Sequence, residues 1–179
     1  MTAAGAIGDP VVGNPAAPWP RPFVQGLYWT EMTVGSAYST ASRTVTEVDL
    51  MRFVSMGFTE PLFTDVAGAE AAGYRGRLVP GALTFSLAEG LLMQTNVIHG
   101  TGLAFLGTTL TVLAPVLIGD TICVAWEVTQ ARAASTGNRG IVTTRNLVRN
   151  SGGQVVMEYS PTRLIAGHPE AGPGGNNGS

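Results

Sequence analysis

Residues 80–98 read PGALTFSLAEGLLMQTNVI, and this stretch decides the fold. Pro80 suits a first helical position, where a missing N–H costs nothing. Leu83, Leu87 and Leu91 recur every four residues, and Ala88, Leu92 and Ile98 widen the apolar face. Glu89 is its one charged residue. Gly100 supplies a C-terminal stop, with His99 in the last turn, where a cation suits the dipole. The pattern predicts a helix over Pro80–Ile98, roughly 28 Å long and buried because it is apolar on most sides. Thr84, Ser86, Glu89, Gln94, Thr95 and Asn96 make it too polar to span a membrane. Its positive end then lies at Gly81 and Ala82.

A chain of 179 residues predicts one domain with a sizeable core around this helix. Charged residues are only 12% of the chain, too few to cover the whole surface, so an apolar face shared with another subunit is expected. There are ten arginines and no lysine, scattered rather than clustered, which argues against a nucleic-acid partner. The lone Cys123 permits no internal disulfide and fits a reducing compartment. The first twenty residues lack the basic start and apolar run of a secretory leader. A cytoplasmic protein with no membrane partner is expected.

Around the helix the chain divides readily. Residues 1–27 form a Pro-rich arm, with Trp19 and Phe23 placed to pin its end, and 167–179 a Gly- and Asn-rich tail expected to be disordered. One domain, 28–166, lies between. Ala37 to Val45 reads as a strand. Thr44 and Glu47 fit a capping box before a short helix that carries Val48, Leu50, Met51, Phe53 and Val54 and ends near Gly57. Phe58 to Thr64 reads as a loop, and Asp65 as the cap of a small helix through Ala72. Beyond the long helix, 103–112, 121–131, 139–150 and 154–165 read as strands. Thr136-Gly137-Asn138 and Ser151-Gly152-Gly153 supply hairpin turns. Ile122, Val124, Trp126 and Val128 alternate with Thr121, Cys123, Ala125 and Glu127. A helix followed by an antiparallel meander gives an α+β fold with the sheet packed on the helix.

Three segments carry a specific resemblance: RTVTEVDLMRFVSMGFTEPLFTD (43–65), GYRGRLVPGALTFSLAEGLL (73–92) and APVLIGDTICVAWEV (114–128). Over about residues 28–166 the chain resembles the MaoC-like hot-dog domains. The resemblance implies an antiparallel sheet wrapped around the central helix, and a homodimer or a heterodimer with a related hot-dog subunit. It implies action on acyl thioesters of coenzyme A or acyl carrier protein, most often (R)-specific hydration or dehydration, with no cofactor beyond the coenzyme A of the substrate.

The hydratase motif of that family runs Gly-Asp-x-Asn-Pro-x-His-x-Asp, its first Asp and its His forming the catalytic dyad. Here GFTEPLFTD (57–65) keeps Gly57, Pro61 and Asp65 but sets Phe58 at the dyad Asp, Glu60 at the Asn and Phe63 at the dyad His. Hydration needs a base for water and an acid for the α-carbon, and phenylalanine is neither. Gly81 and Ala82 either offer free N–H groups to a thioester carbonyl, as an oxyanion hole does, or only start a buried helix; the resemblance favours the first. Glu60 is the one new acid in the loop: beside Phe58 and Phe63 it is either a carboxylate with a raised pKa that serves as general base or a solvated loop glutamate. The two phenylalanines fill the volume the dyad left and make the pocket more apolar.

The remaining candidates have plain alternatives. Asp65 caps a helix or takes part in catalysis, Thr59, Thr64 and Thr84 orient water or only structure their turns, and Arg75 and Arg77 meet coenzyme A phosphates or solvent. His99 and His168 give no metal site. Three readings follow: thioester hydrolysis, hydration by substitute residues, and a non-catalytic binding or partner subunit. Hydrolysis ranks first, because it needs one base and no α-carbon acid.

Overall fold

A computed structural model describes residues 25–169. Trp19, Phe23 and the rest of 1–24, and the tail from 170, lie outside the described residues. Six strands and four helices follow in order: β1 (Ala37–Ser39), β2 (Arg43–Thr44), α1 (Glu47–Val54), α2 (Pro61–Thr64), α3 (Val66–Ala71), α4 (Gly81–Gln94), β3 (Gly102–Val112), β4 (Thr121–Ala133), β5 (Arg139–Asn150) and β6 (Val155–Ala166). All pairings are antiparallel, in the order β1-β4-β5-β6-β3, with β2 also on β4. This is an α+β hot-dog architecture.

The sheet is not the simple meander the sequence suggests. Strands β4, β5 and β6 follow one another through turns at Gly137 and Gly153, both at positive φ, but β3 pairs with β6 and forms the far edge. Residues 113–120 therefore carry the chain from one side of the sheet to the other. Ile122, Val124, Trp126 and Val128 point inward, as their alternation predicts. They meet Val148, Met157, Tyr159 and Ile165 in one core with Leu50 and the α4 leucines.

Helix α4 buries Leu83, Thr84, Leu87, Ala88, Leu91 and Leu92, while Ala82, Ser86 and Met93 remain exposed in the single chain. It ends at Gln94 rather than Ile98. The Thr95 hydroxyl and N–H both turn back to the Leu92 carbonyl, and Asn96 takes the left-handed conformation at φ 59°. Val97 and His99 then accept from the N–H groups of Leu27 and Gly26 at 2.8 Å. His99 is accordingly outside the helix, and Gly26 and Leu27, which the sequence places in the arm, belong to the folded body. A Cβ on Gly26 would sit 2.4 Å from the His99 nitrogen, so only glycine permits this approach.

The N-terminal helices also shift from expectation. The capping box of α1 is Thr46 with Asp49, and not Thr44 with Glu47. Thr44 lies in β2, its hydroxyl 2.7 Å from that of Thr121 across the pair. The loop after Gly57 contains a turn of helix, α2, started by Pro61.

Candidate active site

The two motifs that flank α4 brace its start. The Leu78 N–H donates to the Leu62 carbonyl in α2 at 2.9 Å, and the Val79 N–H to the Val116 carbonyl at 2.8 Å. Leu78 also bridges to Leu117. The 114–120 turn is itself closed by Asp120, whose carboxylate accepts from the Leu117 N–H at 2.9 Å. Loop 57–65 and the crossing turn are thus hydrogen-bonded to the two residues before Pro80.

At the helix end no side chain caps α4, and the first backbone N–H with an acceptor among the described residues is that of Thr84, bonded to the Pro80 carbonyl. Gly81 and Ala82 keep free donors at the positive pole of a 14-residue helix. A Cβ on Gly81 would lie 3.1 Å from Val112, so glycine keeps this end close to β3.

The other residues singled out from the sequence divide sharply. Phe58 packs against Phe53 with centroids 4.4 Å apart and the rings tilted by 40°, and Phe63 packs on the core. Glu60 occupies the N-cap position of α2, where its carbonyl accepts from the Phe63 N–H at 2.9 Å and the Thr64 hydroxyl at 3.0 Å. Its carboxylate is exposed and unbonded among the described residues, which fits the solvated reading of Glu60 and not a desolvated one. Asp65 spends both carboxylate oxygens, each at 3.0 Å, on the Ala67 and Gly68 N–H groups as the cap of α3. Thr84 faces the core. Arg77 is paired with Glu47, and that bond holds the Glu47 carboxyl below its usual range. Arg75 is exposed.

A second polar group was not singled out from the sequence. Glu89, on α4, forms an ion pair with Arg163 of β6, and their side chains are only 17% and 8% exposed. Strand register assembles its neighbours: Phe105 lies opposite Arg163, and Asn146 opposite Tyr159. The guanidinium carbon stands 5.6 Å from the Phe105 ring centre. Burial, reinforced by the Glu89 charge, pushes the Tyr159 hydroxyl far above its usual range. Glu89 Oε1, the Tyr159 hydroxyl and Asn146 Nδ2 are sealed from solvent without a well-formed hydrogen bond among the described residues. The signals were there: one charge on an apolar helix, and an arginine in an inward phase of β6, between Pro161 and Ile165. Beside the pair a pocket of about 480 Å³ opens between α4 and β3.

No cluster of three or more His, Cys, Asp or Glu that could hold a metal occurs among the described residues. Nor is any helix among them long and apolar enough to cross a membrane.

Residues 32–159 match the family model for the FAS1-like, dehydratase domain region. The chain belongs to that family. No curated protein matches it by sequence. Among solved structures it is similar to the monoamine oxidase regulatory protein of Archaeoglobus fulgidus, at 29% identity and TM-score 0.74, over 82% of this chain and 98% of that one. It is similar also to the R-hydratase PhaJ1 of Pseudomonas aeruginosa, at 25% identity and TM-score 0.63, over 82% and 89% of the two chains. A double-hotdog protein of Mycobacterium tuberculosis shares the fold at 20% identity and TM-score 0.68, over 83% of this chain and 47% of that one. In this dehydratase-family chain the positions expected to carry the acid–base dyad are thus occupied by two aromatic rings packed on their neighbours.

Proposed function

We propose that this chain binds acyl thioesters of coenzyme A or acyl carrier protein and hydrolyses them, with the carbonyl oxygen at the N-terminus of α4. One observation supports the reading: just before the uncapped Gly81–Ala82 end, the Leu78 N–H is bonded to Leu62 of a loop that has one free carboxylate among the described residues and no hydration dyad. Glu60 takes a proton from water as the water oxygen bonds to the carbonyl carbon. The Gly81 and Ala82 N–H groups hold the resulting oxyanion. When the carbon–sulfur bond breaks, the sulfur leaves with its electron pair and recovers the proton from Glu60, giving a carboxylic acid and a free thiol. Phe58 and Phe63 supply apolar contact for the acyl group, and Arg75 meets the carrier's phosphate. The reaction so written needs only substrate and water, and its setting is the cytoplasm.

A second reading, hydration or dehydration of the acyl chain by substitute residues, draws on the family match. Thiol release and loss of enoyl absorbance separate the two. Hydrolysis predicts thiol release that falls about 10²- to 10⁴-fold in the Glu60→Gln protein, with little change in affinity. Undiminished release by that variant removes Glu60 from the mechanism, and hydration by the unaltered chain reverses the ranking.

The working unit is proposed to be a homodimer. Edge strand β3 and the residue after it leave Leu106, Leu110, Val112 and Leu113 between 40% and 54% exposed, a liability that pairing with a second copy removes. A heterodimer with a related hot-dog subunit is the other form. Light scattering tests this: the purified chain should run at twice 18.5 kDa, and a stable monomer overturns it.

A further inference from the structure

The Glu89–Arg163 pair has no part in the hydrolysis above. Glu89 lies eight residues beyond Gly81, about 12 Å along the helix, too far to touch a carbonyl held at the helix end. Nor does stability account for it, since an apolar pair of the same volume serves a buried site as well or better. Its surroundings are more informative. The pair borders the 480 Å³ pocket, whose other walls include Met93, His99 and Phe105. Arg163 makes one hydrogen bond among the described residues, from Nη2 to Glu89, and its other nitrogens are not among the sealed, unbonded atoms. A guanidinium has five N–H donors in a planar fork, so most of those on Arg163 are not taken up by the described residues, and Arg163 is part of the pocket wall.

The edge strand is reshaped at the same place. Register shifts between Gly102 and Ala104 and between Phe105 and Gly107 leave Leu103 and Leu106 as extra residues. Two bulges in six residues bend this half of β3 and spoil it as a template for another strand, whereas Gly107–Val112 is regular. The regular half leads to Val112, beside Gly81; the bulged half walls the pocket beside Glu89. Between them Phe85 packs edge-on against Tyr159 at 5.1 Å and faces Phe105 at 6.5 Å. Gly81 beside Val112, Phe85 beside Phe105 and Glu89 paired with Arg163 thus follow one another at four-residue steps along α4, apolar in the middle and polar at the far end.

We infer that this pocket is a subsite for the far end of the acyl chain, and that it takes an oxygen-bearing terminus, a carboxylate or a hydroxyl, on the free donors of Arg163. Phe85 and Phe105 flank the methylenes, and Glu89 holds the guanidinium in place while limiting the pull on an anion. This deepens the acyl-thioester reading and rests on it. The substrate class is a thioester whose chain spans about 12 Å before its polar end.

The test uses stable thioether analogues of acyl-coenzyme A with one chain length and a carboxylate, hydroxyl or methyl terminus, titrated by calorimetry. A polar terminus should bind the unaltered chain at least tenfold more tightly than methyl. Glu89→Gln removes the competing charge, so it should raise the carboxylate preference further; a hydroxyl that donates to Glu89 should instead lose preference. Arg163→Gln leaves Glu89 unpaired and is prone to unfold, so the double variant Glu89→Gln, Arg163→Gln, which keeps an amide pair, is the decisive one. It should bind all three termini alike. Equal binding of polar and methyl termini by the unaltered chain overturns the subsite and leaves the acyl-thioester reading standing. A polar preference without thiol release upholds the subsite and overturns hydrolysis. A polar preference that survives in the double variant overturns the assignment to Arg163.

Discussion

Loop 57–65 and the Glu89–Arg163 cluster are opposites in how they treat polarity. In the loop, apolar rings hold positions where the family resemblance places an acid and a base, and Phe58 is 41% exposed. In the cluster, a carboxylate and a guanidinium pair between α4 and β6 at the wall of a pocket, Arg163 with 6% of its surface left. An exposed position accepts either kind of side chain at little cost, so polarity lost there says little about stability. A buried charge costs several kcal/mol of hydration and persists only with its partner in place. The loop therefore indicates which chemistry has gone, and the cluster where an unexplained polar requirement remains.

The largest effect should come from breaking the cluster. Arg163→Met leaves the Glu89 charge buried and should cost about 3–5 kcal/mol in urea unfolding, while Glu89→Leu with Arg163→Met should recover most of it. Equal losses in the single and double variants would mean the cost is packing alone. Rebuilding the loop should have the next largest effect. Phe58→Asp with Phe63→His should produce enoyl hydration about 10²-fold or more above either single variant, read as loss of absorbance. A double variant no better than the singles would show that the loop's geometry, and not only its residues, has departed from a hydratase site.

Asp65→Ala sharpens the contrast at smaller scale. Losing the α3 cap should lower stability by about 1 kcal/mol, whereas Glu60→Gln, with an exposed and unbonded carboxylate, should stay within about 0.5 kcal/mol. A reversed order would show that the two loop acids had exchanged roles. The smallest effect concerns acid pH and Asp49. Burial alone would raise its carboxyl, but hydrogen bonds from Thr46 and the Arg43 charge outweigh that and hold it below its usual value. Its contribution is therefore full above the unfolded carboxylate range, near pH 4, and is lost as pH falls through the depressed folded value. Asp49→Asn should flatten that acid limb, and an unchanged limb would remove Asp49 from it.

Local pattern made much of the molecule legible before any coordinates. The alternation in β4, the glycine turns at Gly137 and Gly153 and the leucine spacing of α4 each depend on neighbours a few residues apart. Asp65 as a cap belongs with them, because its partners Ala67 and Gly68 follow within three residues. Where two local choices were nearly equal, the sequence erred by a small step: Thr44 for Thr46, and Ile98 for Gln94. Thr44 was claimed by Thr121, 77 residues away, and the turn after Gln94 was fixed by Gly26 and Leu27. Neither partner can be seen from the segment itself.

What the sequence determined by itself was therefore the set of elements, the hot-dog resemblance and the absence of the dyad, since all three are properties of residue type and spacing along the chain. Only the tertiary structure decided that β3 crosses to the far edge beside β6, because its partner is chosen by how the sheet closes over α4. It alone also decided that Glu60 faces solvent while Glu89 meets Arg163 across 74 residues. A carboxylate's surroundings are made by elements distant in sequence, and they determine whether it is a solvated charge or a buried one.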